Sequence, residues 1–253
     1  MLGRLLVAKL LPDLSFRKYA ALHFLSILAL AYVLSGITGF MINAEELSLA
    51  SMFQWPQIWT TIASYSRWLF AIPAFFIIQT VCADLELKIV RAHLIHGMER
   101  WQVTVLWQLQ SALLASIGVV ASTVAALSFG QPHLRDIGHE LGFILRTELG
   151  YGFYGVIYLN FAILMALGFR RPAPAIGLLL AAPALIEPAI GLLLERYGYG
   201  FAKEFLPFAC LGTLTAAGPP GTAGGSSLSA IVAVGYGALA MLAVAGKLRT
   251  SDF

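Results

Sequence analysis

Six long apolar segments, separated by shorter polar connections, dominate the pattern of hydrophobic and polar positions along the chain. A hydrocarbon core about 30 Å thick is crossed by a helix of about 20 apolar residues, which is close to the length of each segment. We therefore predict six transmembrane helices. They cover residues 19–41, 58–83, 103–129, 151–169, 173–194 and 228–246. The second segment includes Arg67, which the prediction places inside the membrane or at its interface.

The composition indicates that lipid is the solvent for much of the surface. Of the 253 residues, 59% are hydrophobic and 11% are charged, whereas soluble domains carry about a quarter charged residues. The prediction is therefore an all-α polytopic membrane protein, with residues 1–253 forming a single transmembrane domain. The net charge of +3 and the lack of a basic run argue against nucleic acid as a partner.

The distribution of Lys and Arg predicts the orientation of the chain, because cytoplasmic loops retain positive charge. With the N-terminus inside, eleven of these residues lie on the inner side and five on the outer side. We therefore expect a multi-pass protein of the inner (plasma) membrane with both termini in the cytoplasm.

Four stretches outside the spans have predicted positions of their own. Residues 1–18 form an interfacial elbow helix, because their apolar start carries two basic residues and is ended by Pro12. Residues 84–100 form a cytoplasmic loop, and residues 130–150 form an external stretch with an amphipathic piece. Residues 195–227 form an external loop that ends in the Gly- and Pro-rich run GPPGTAGGSS.

The 84–100 segment carries the most informative pattern in the chain. On a helix at 100° per residue, Asp84, Lys88 and Arg91 share one stripe, and Glu86 and His93 share the opposite one. The two flanks between the charges are apolar, with Leu87, Val90 and Leu94 on one and Leu85, Ile89 and Ala92 on the other. A helix that lies on a membrane shows one apolar face, so two faces indicate a helix held between two partners. An ordinary helical connection is the alternative.

The same segment ends in a turn that points to a known family. Gly97 can take the left-handed conformation that ends a helix, and Glu99 and Arg100 then lead back into the third span. An acidic residue and basic residues, followed by Gly-x-x-Arg and an immediate return to the membrane, resemble the coupling helix of ABC-2-type permeases. The letters that carry this resemblance are Glu86-Leu-Lys88 through Arg91 and Gly97-Met-Glu-Arg100.

Three further stretches resemble parts of the same family. KLLPDLSFRKYAAL, residues 9–22, resembles its interfacial elbow helix and the entry into its first span. FLPF, residues 205–208, resembles the stretch before its last span, and KLRTSDF, residues 247–253, resembles its basic tail. The resemblance therefore extends over essentially the whole chain.

This resemblance implies the permease subunit of an ATP-driven exporter, which forms the substrate path and is not itself an enzyme. ATP and Mg would bind to a separate cytoplasmic ABC ATPase subunit, and this chain would bind no cofactor. A second copy of the chain, or a similar permease, would complete the path. The residues implied in ATPase coupling are Asp84, Glu86, Lys88, Arg91, His93, Gly97, Glu99 and Arg100.

Other motifs do not indicate a catalytic or cofactor site. GYGFYG, residues 150–155, has the spacing of a dinucleotide motif, but it opens an apolar span, so we interpret its glycines as helix-packing positions. The sequence contains no GxxxxGK[ST] phosphate loop, so ATP-driven transport would require a separate subunit. The histidines and acidic residues form neither HExxH nor a Cys/His cluster, and we predict no metal site.

Glu187 is the strongest anomaly within a predicted span. Pro183 and Pro188 flank it and predict a kink or break in the fifth span. A carboxylate at membrane depth costs a few kcal/mol, so it usually faces the protein interior or a water-filled path. Two interpretations stay open: a residue of the substrate path, and a protonated or paired structural residue at a helix contact. Gln79 and Asp84 are weaker candidates for the path.

Two other functional classes stay open from the sequence. One is a non-transporting anchor or scaffold subunit of a larger membrane complex, which would have no ATPase partner. The other is an intramembrane enzyme, which is disfavoured because no span carries a nucleophile–base pair or a metal-ligand pair at matched depth. The few charges in the spans slightly favour an amphipathic or lipid-like cargo, but few charges are also typical of membrane spans in general.

Overall fold

The computed structural model describes residues 14–36, 55–95, 97–130, 134–215 and 227–250. Within these ranges the secondary structure is helical and includes no strand. The helices are α1 (Leu14–Gly36), α2 (Gln57–Ser66), α3 (Ala71–Glu86), α4 (Ile89–Ile95), α5 (Arg100–Phe129), α6 (Leu134–Phe169), α7 (Pro172–Ala181), α8 (Glu187–Arg196), α9 (Pro207–Thr215) and α10 (Ser227–Thr250). A 3₁₀ turn, Arg67–Phe70, joins α2 to α3, and a π-helical turn, Ala182–Ile186, joins α7 to α8.

Six helical stretches in the described ranges are long and apolar enough to cross a membrane, which confirms the predicted all-α polytopic fold. They are Leu14–Ser35, Gln57–Glu86, Arg100–Phe129, Glu140–Phe169, Pro172–Arg196 and Ile231–Leu248. We number these stretches as spans one to six. Many of their large apolar side chains are exposed, such as Leu25 in span one and Leu242 in span six. Exposed apolar rows of this kind are expected where the surrounding solvent is lipid.

Span one begins earlier than the sequence pattern predicted. The pattern placed its start at residue 19, whereas α1 begins at Leu14. Residues 14–18, predicted to belong to the elbow helix, therefore form the first turns of the span. The rest of the predicted elbow, residues 1–13, lies outside the described residues.

The predicted external stretch 130–150 is largely helical in the structure. Helix α6 runs without a break from Leu134 to Phe169. The fourth span, Glu140–Phe169, therefore includes residues 140–150 of the stretch that was predicted to be external. The reason is tertiary, because Glu148 is buried and its Oε1 accepts a hydrogen bond from Ser122 Oγ of α5 at 3.0 Å. A charged residue that indicated a loop in the sequence is thus buried inside the bundle, where one of its two oxygens has a hydrogen-bond partner.

The predicted external loop 195–227 contains a helix that packs into the bundle. Helix α9 contacts both α6 and α10, and Cys210, Leu211 and Gly212 on it are buried. A 3₁₀ turn, Gly200–Phe205, connects span five to α9. Residues 216–226 lie outside the described residues.

Helix α6 lies at the centre of the bundle. It packs against α3, α5, α9 and α10, and its Tyr151 is fully buried against Phe70 with ring centroids 5.1 Å apart. Two of its glycines allow this packing. A Cβ atom at Gly155 would lie 2.4 Å from Phe70 Cζ, and one at Gly150 would lie 2.0 Å from the backbone oxygen of Leu214 on α9. The interpretation of GYGFYG as a helix-packing motif is therefore confirmed.

Substitution of Gly150 tests this close approach. We expect Gly150→Ala to destabilise the protein by about 1–3 kcal/mol, because the added methyl group would overlap a backbone oxygen that cannot move without displacing α9. The apparent melting temperature in a mild detergent measures the effect. Gly168→Ala, on the same helix with no atom within 4 Å of the added Cβ, is the matched control. Equal melting temperatures of the two variants would contradict the packing role of Gly150.

Candidate functional site

The 84–100 segment is not one continuous helix. Helix α3 ends at Glu86, Lys88 has a φ angle of +55°, and α4 begins at Ile89. The prediction of a single helix from residue 84 is therefore wrong at this point. A left-handed residue changes the direction of the chain and the phase of the residues that follow it, which the regular 100° pattern did not include.

The apolar faces of the segment differ accordingly from the prediction. Val90 is 2% exposed and packs in the bundle core, with Leu94 and Met98 partly buried beside it. Leu87 and Ile95 are 70% and 74% exposed, respectively. Leu87 was predicted to share a flank with Val90 and Leu94, but the break at Lys88 separates them. One apolar side of the segment is thus packed against the bundle and another faces outward.

The candidate coupling residues divide into an exposed group and a buried residue. Glu86, Lys88 and Arg91 are exposed around the break and on α4. Asp84 is only 6% exposed, and its Oδ2 accepts a hydrogen bond from Trp107 Nε1 of α5 at 3.1 Å. Asp84 therefore does not share a surface with Lys88 and Arg91 as the predicted stripe required, because it joins span two to span three inside the bundle. His93 belongs to α4, but its side chain lies outside the described part of the chain, as does the whole of residue 96.

The other candidates shape the return of the chain into span three. Gly97 has a φ angle of +86°, which confirms the predicted left-handed turn. Glu99 is the N-cap of α5, where its backbone N–H donates to Gln102 Oε1 at 3.0 Å in a capping box. Trp101 Nε1 donates to the Glu99 carboxylate. Arg100 Nη1 donates to the backbone oxygen of Leu248 at 2.9 Å and so joins the segment to span six.

The opposite end of the bundle contains a cleft of about 950 Å³ between spans two, four and five and helix α9. The side chains of the cleft are both charged and apolar. Its lining includes Arg67, Trp68, Tyr154, Pro183, Glu187, Pro188, Gly191, Leu192, Glu195, Lys203, Glu204, Leu206, Phe208, Ala209, Gly212 and Thr213. Among the candidates from the sequence, Glu187 lies here. Gln79 does not line the cleft, and its Oε1 accepts a hydrogen bond from Tyr19 Oη at 3.1 Å.

Glu187 holds the N-terminus of α9. Its Oε1 accepts a hydrogen bond from the Phe208 backbone N–H at 2.7 Å, and its Oε2 accepts one from the Ala209 N–H at 2.9 Å. The first backbone N–H groups of a helix have no partner within the helix, and the helix dipole favours a negative charge beside them. The half-buried carboxylate therefore has a structural partner, and it also lines the cleft.

The break predicted around Glu187 is present in span five. The π-helical turn Ala182–Ile186 contains Pro183 and is followed directly by Glu187 and Pro188. Proline removes a backbone donor from a helix, and single π turns often occur at functional sites. The irregular turn directs the Glu187 side chain toward α9. The two prolines therefore help to position this carboxylate.

Arg67 is the cleft residue that the sequence analysis did not select. It lies on the 3₁₀ turn in span two, and its guanidinium carbon is 5.5 Å from the centre of the Trp68 ring. The signal was present as an arginine inside an apolar segment. Its meaning was hidden, because the facing element, α9, lies about 145 positions later in the chain and was predicted to be a loop.

A second charged pair lies at the edge of the cleft. Lys203 Nζ donates a hydrogen bond to the Glu195 carboxylate, and both side chains are about half exposed. This hydrogen bond and the adjacent negative charge raise the pKa of Lys203 above its usual value. Lys203 and Glu195 therefore neutralise each other at neutral pH.

Comparison of the sequence with models of known protein families and with curated proteins gives no match. Within the described residues no group of three or more His, Cys, Asp or Glu side chains is arranged to hold a metal ion. The functional argument therefore depends on the geometry of the 84–100 segment and of the cleft.

Replacement of Glu187 tests its bonds to α9. We expect Glu187→Gln to lower stability by about 1–3 kcal/mol, because one of the two backbone N–H groups would then face an amide NH₂ instead of an acceptor. Hydrogen exchange of a peptide that contains Phe208 and Ala209 should become faster. Glu204→Gln, which changes an exposed carboxylate of the same cleft, is the control and should leave that exchange rate unchanged. Equal exchange in both variants would contradict the capping role.

Proposed function

We propose that the chain is the membrane-spanning permease subunit of an ATP-driven exporter of the ABC-2 type. The observation that carries this proposal is the exposed surface of the 84–100 segment. It combines the charges of Glu86, Lys88 and Arg91 with the apolar side chains of Leu87 and Ile95. A surface that mixes exposed apolar and charged side chains at one end of a membrane bundle suits a protein partner better than water or lipid headgroups alone.

The proposed orientation follows from the order of the spans. With all six helical stretches crossing the membrane, as we propose, the 84–100 segment, the turn at Arg170 and Arg171 and both ends of the described chain would share one side. Most of the Lys and Arg residues outside the spans lie on that side, which we assign to the cytoplasm of the inner (plasma) membrane. The cleft then lies toward the outer surface.

The contacts of the 84–100 segment suggest how a partner could move the spans. Val90 is packed in the core, Asp84 bonds to Trp107 in span three, and Arg100 bonds to Leu248 in span six. A force on α4 would therefore reach spans two, three and six through short, direct contacts. Small displacements of packed elements are a common way to bias two states of a protein.

The energy source in this proposal is a separate subunit. The chain has no GxxxxGK[ST] phosphate-binding loop, so ATP and Mg would bind to a cytoplasmic ABC ATPase that contacts α4. A second copy of the chain, or a similar permease, would complete the substrate path, and two-fold pairing is the commonest way in which subunits assemble. Coupling between sites is reciprocal, so the state of the permease should also change nucleotide binding by the ATPase.

Cysteine labelling tests the orientation. The two native cysteines, Cys82 and Cys210, are buried, so they should give little background reaction. In intact cells we expect a membrane-impermeant maleimide to label Phe201→Cys, because this exposed residue lies at the cleft end. Ile95→Cys should react only after the cells are opened. Labelling of Ile95→Cys in intact cells would contradict the proposed orientation and the permease assignment.

Substitution on the exposed surface tests the coupling itself. We expect the double variant Glu86→Gln with Arg91→Gln to insert and purify normally but to lose most of the transport-linked ATP hydrolysis. The reason is that the ATPase would lose its contacts with both charged side chains. The ATPase rate of the purified complex in lipid vesicles measures this loss. Arg171→Gln changes an exposed charge on the same side and should keep normal coupling.

The composition of the purified complex distinguishes this function from a membrane scaffold. A P-loop ATPase should co-purify with the chain in mild detergent. A complex that contains no ATPase would contradict the transporter proposal and favour the scaffold role. Unchanged coupling in the double variant would contradict the assignment of α4 as the contact site.

A further inference from the structure

Arg67 is a charged residue of the cleft whose guanidinium has no hydrogen-bond or ion-pair partner in the described part of the chain. It lies ten residues from Gln57 at the cleft end of the 30-residue span two, which corresponds to about 15 Å along the helix. A helix of this length is about 15 Å longer than the hydrocarbon core, so Arg67 belongs to the outer part of the core or to its interface. Within the described residues its guanidinium makes no hydrogen bond or ion pair, and it lies near the face of Trp68 and beside Gly212 of α9. Charged side chains inside a membrane usually face a cavity and serve a ligand or ion path.

The carboxylates of the cleft do not compensate Arg67 directly. Both oxygens of Glu187 accept hydrogen bonds from backbone N–H groups of α9, and Glu195 is paired with Lys203. Glu204 is exposed on the turn that precedes α9. The cleft lining therefore carries two cations and three carboxylates, and among the described residues none of these carboxylates is bonded to Arg67.

The position of the guanidinium depends on close packing against α9. A Cβ atom at Gly212 would lie 2.7 Å from Arg67 Nη1, so the absence of a side chain there leaves room for the cation. Trp68 supports the guanidinium from one side at 5.5 Å. Arginine in such a setting has donors free for a second group, and its planar fork matches phosphate and carboxylate oxygens.

The remainder of the cleft suits an apolar chain. Pro183, Leu192, Leu206 and Phe208 contribute to its wall. Leu192 is 68% exposed, so the cleft is open at this side of span five. A molecule with an apolar tail could therefore enter from the bilayer and keep its tail in apolar surroundings while its head reaches Arg67.

We infer that this cleft binds an amphipathic molecule with an anionic head, a phosphate or a carboxylate, and that Arg67 is the ligand of the head. The apolar wall of span five and α9 holds the tail. The inference rests on the proposed function in one respect, because it names this amphipathic anion as the class of cargo that the permease exports. The binding step itself requires only this chain.

Binding to the purified full-length chain in a neutral alkyl maltoside detergent tests the inference. The probe is dodecyl phosphate, measured by isothermal titration calorimetry, and the neutral detergent already supplies an excess of uncharged alkyl chains. We expect Arg67→Gln to weaken binding at least tenfold, which is about 1.4 kcal/mol. Arg67→Lys should retain part of the affinity, because it keeps the charge but not the planar fork.

Two further variants keep the test independent of folding defects. Gly212→Ala should weaken dodecyl phosphate binding while Arg67 is still present, because the new methyl group displaces the guanidinium. Arg196→Gln removes an exposed charge that does not line the cleft and should bind as the parent protein does. Size-exclusion profiles identify any variant that is not folded.

Each outcome decides the inference. Tight binding that depends on Arg67 and Gly212, together with much weaker binding of inorganic phosphate, supports it. Equal affinity for inorganic phosphate overturns it, because the apolar wall would then contribute nothing. Unchanged binding in Arg67→Gln also overturns it. None of these results depends on an ATPase, so loss of the permease proposal and loss of this site can be told apart.

Discussion

Three carboxylates in the spans accept hydrogen bonds from other parts of the protein, and these bonds join the helical elements. Lipid offers no hydrogen bonds, so an unsatisfied group in the hydrocarbon is costly. Glu187 meets the free N–H groups of α9, and Asp84 accepts the Trp107 indole N–H. Glu148 accepts the hydroxyl of Ser122. Each of these bonds joins two elements that the surrounding lipid would otherwise leave free to separate.

Close packing of the helices stabilises the bundle in addition to these polar hydrogen bonds. Apolar side chains gain little from leaving lipid for another apolar surface, so helix association depends on shape and on small residues. Gly150 and Gly155 let α9 and Phe70 approach the central helix α6, and Gly212 makes room for Arg67. Of these three glycines, Gly212 also lines the cleft, so the close packing at this position helps to shape the cleft.

The two functional regions of the proposed permease are connected by span two. Its helical stretch, Gln57–Glu86, carries Arg67 in the cleft and leads directly into the exposed residues around Lys88. Asp84 holds the end of this span against span three. A displacement of α4 would thus act on span two, which also positions Arg67, the residue proposed to bind the head of the cargo. This connection is the physical basis on which the transport hypothesis and the cleft hypothesis support each other.

The amino-acid sequence by itself determined the features that depend on local pattern. The six spans follow from the length of the apolar segments, the turn at Gly97 follows from a glycine at the end of a helix, and the distortion near Glu187 follows from its two prolines. Each of these features is set by residues that are neighbours in the chain, so the pattern along the chain contains them.

The tertiary structure decided which groups meet. The break at Lys88 changed the faces of α4, because one left-handed residue shifts every later position out of the regular helical phase. Asp84 lies inside the bundle, where it accepts a hydrogen bond from Trp107 Nε1. Helix α9 packs into the bundle, whereas the sequence predicted an external loop at this position. Arg67 became a site residue only when Gly212, far away in the sequence, came beside it. The periodicity of the sequence indicates which residues share one face of a helix. Which other residues that face contacts depends on the packing of the whole chain.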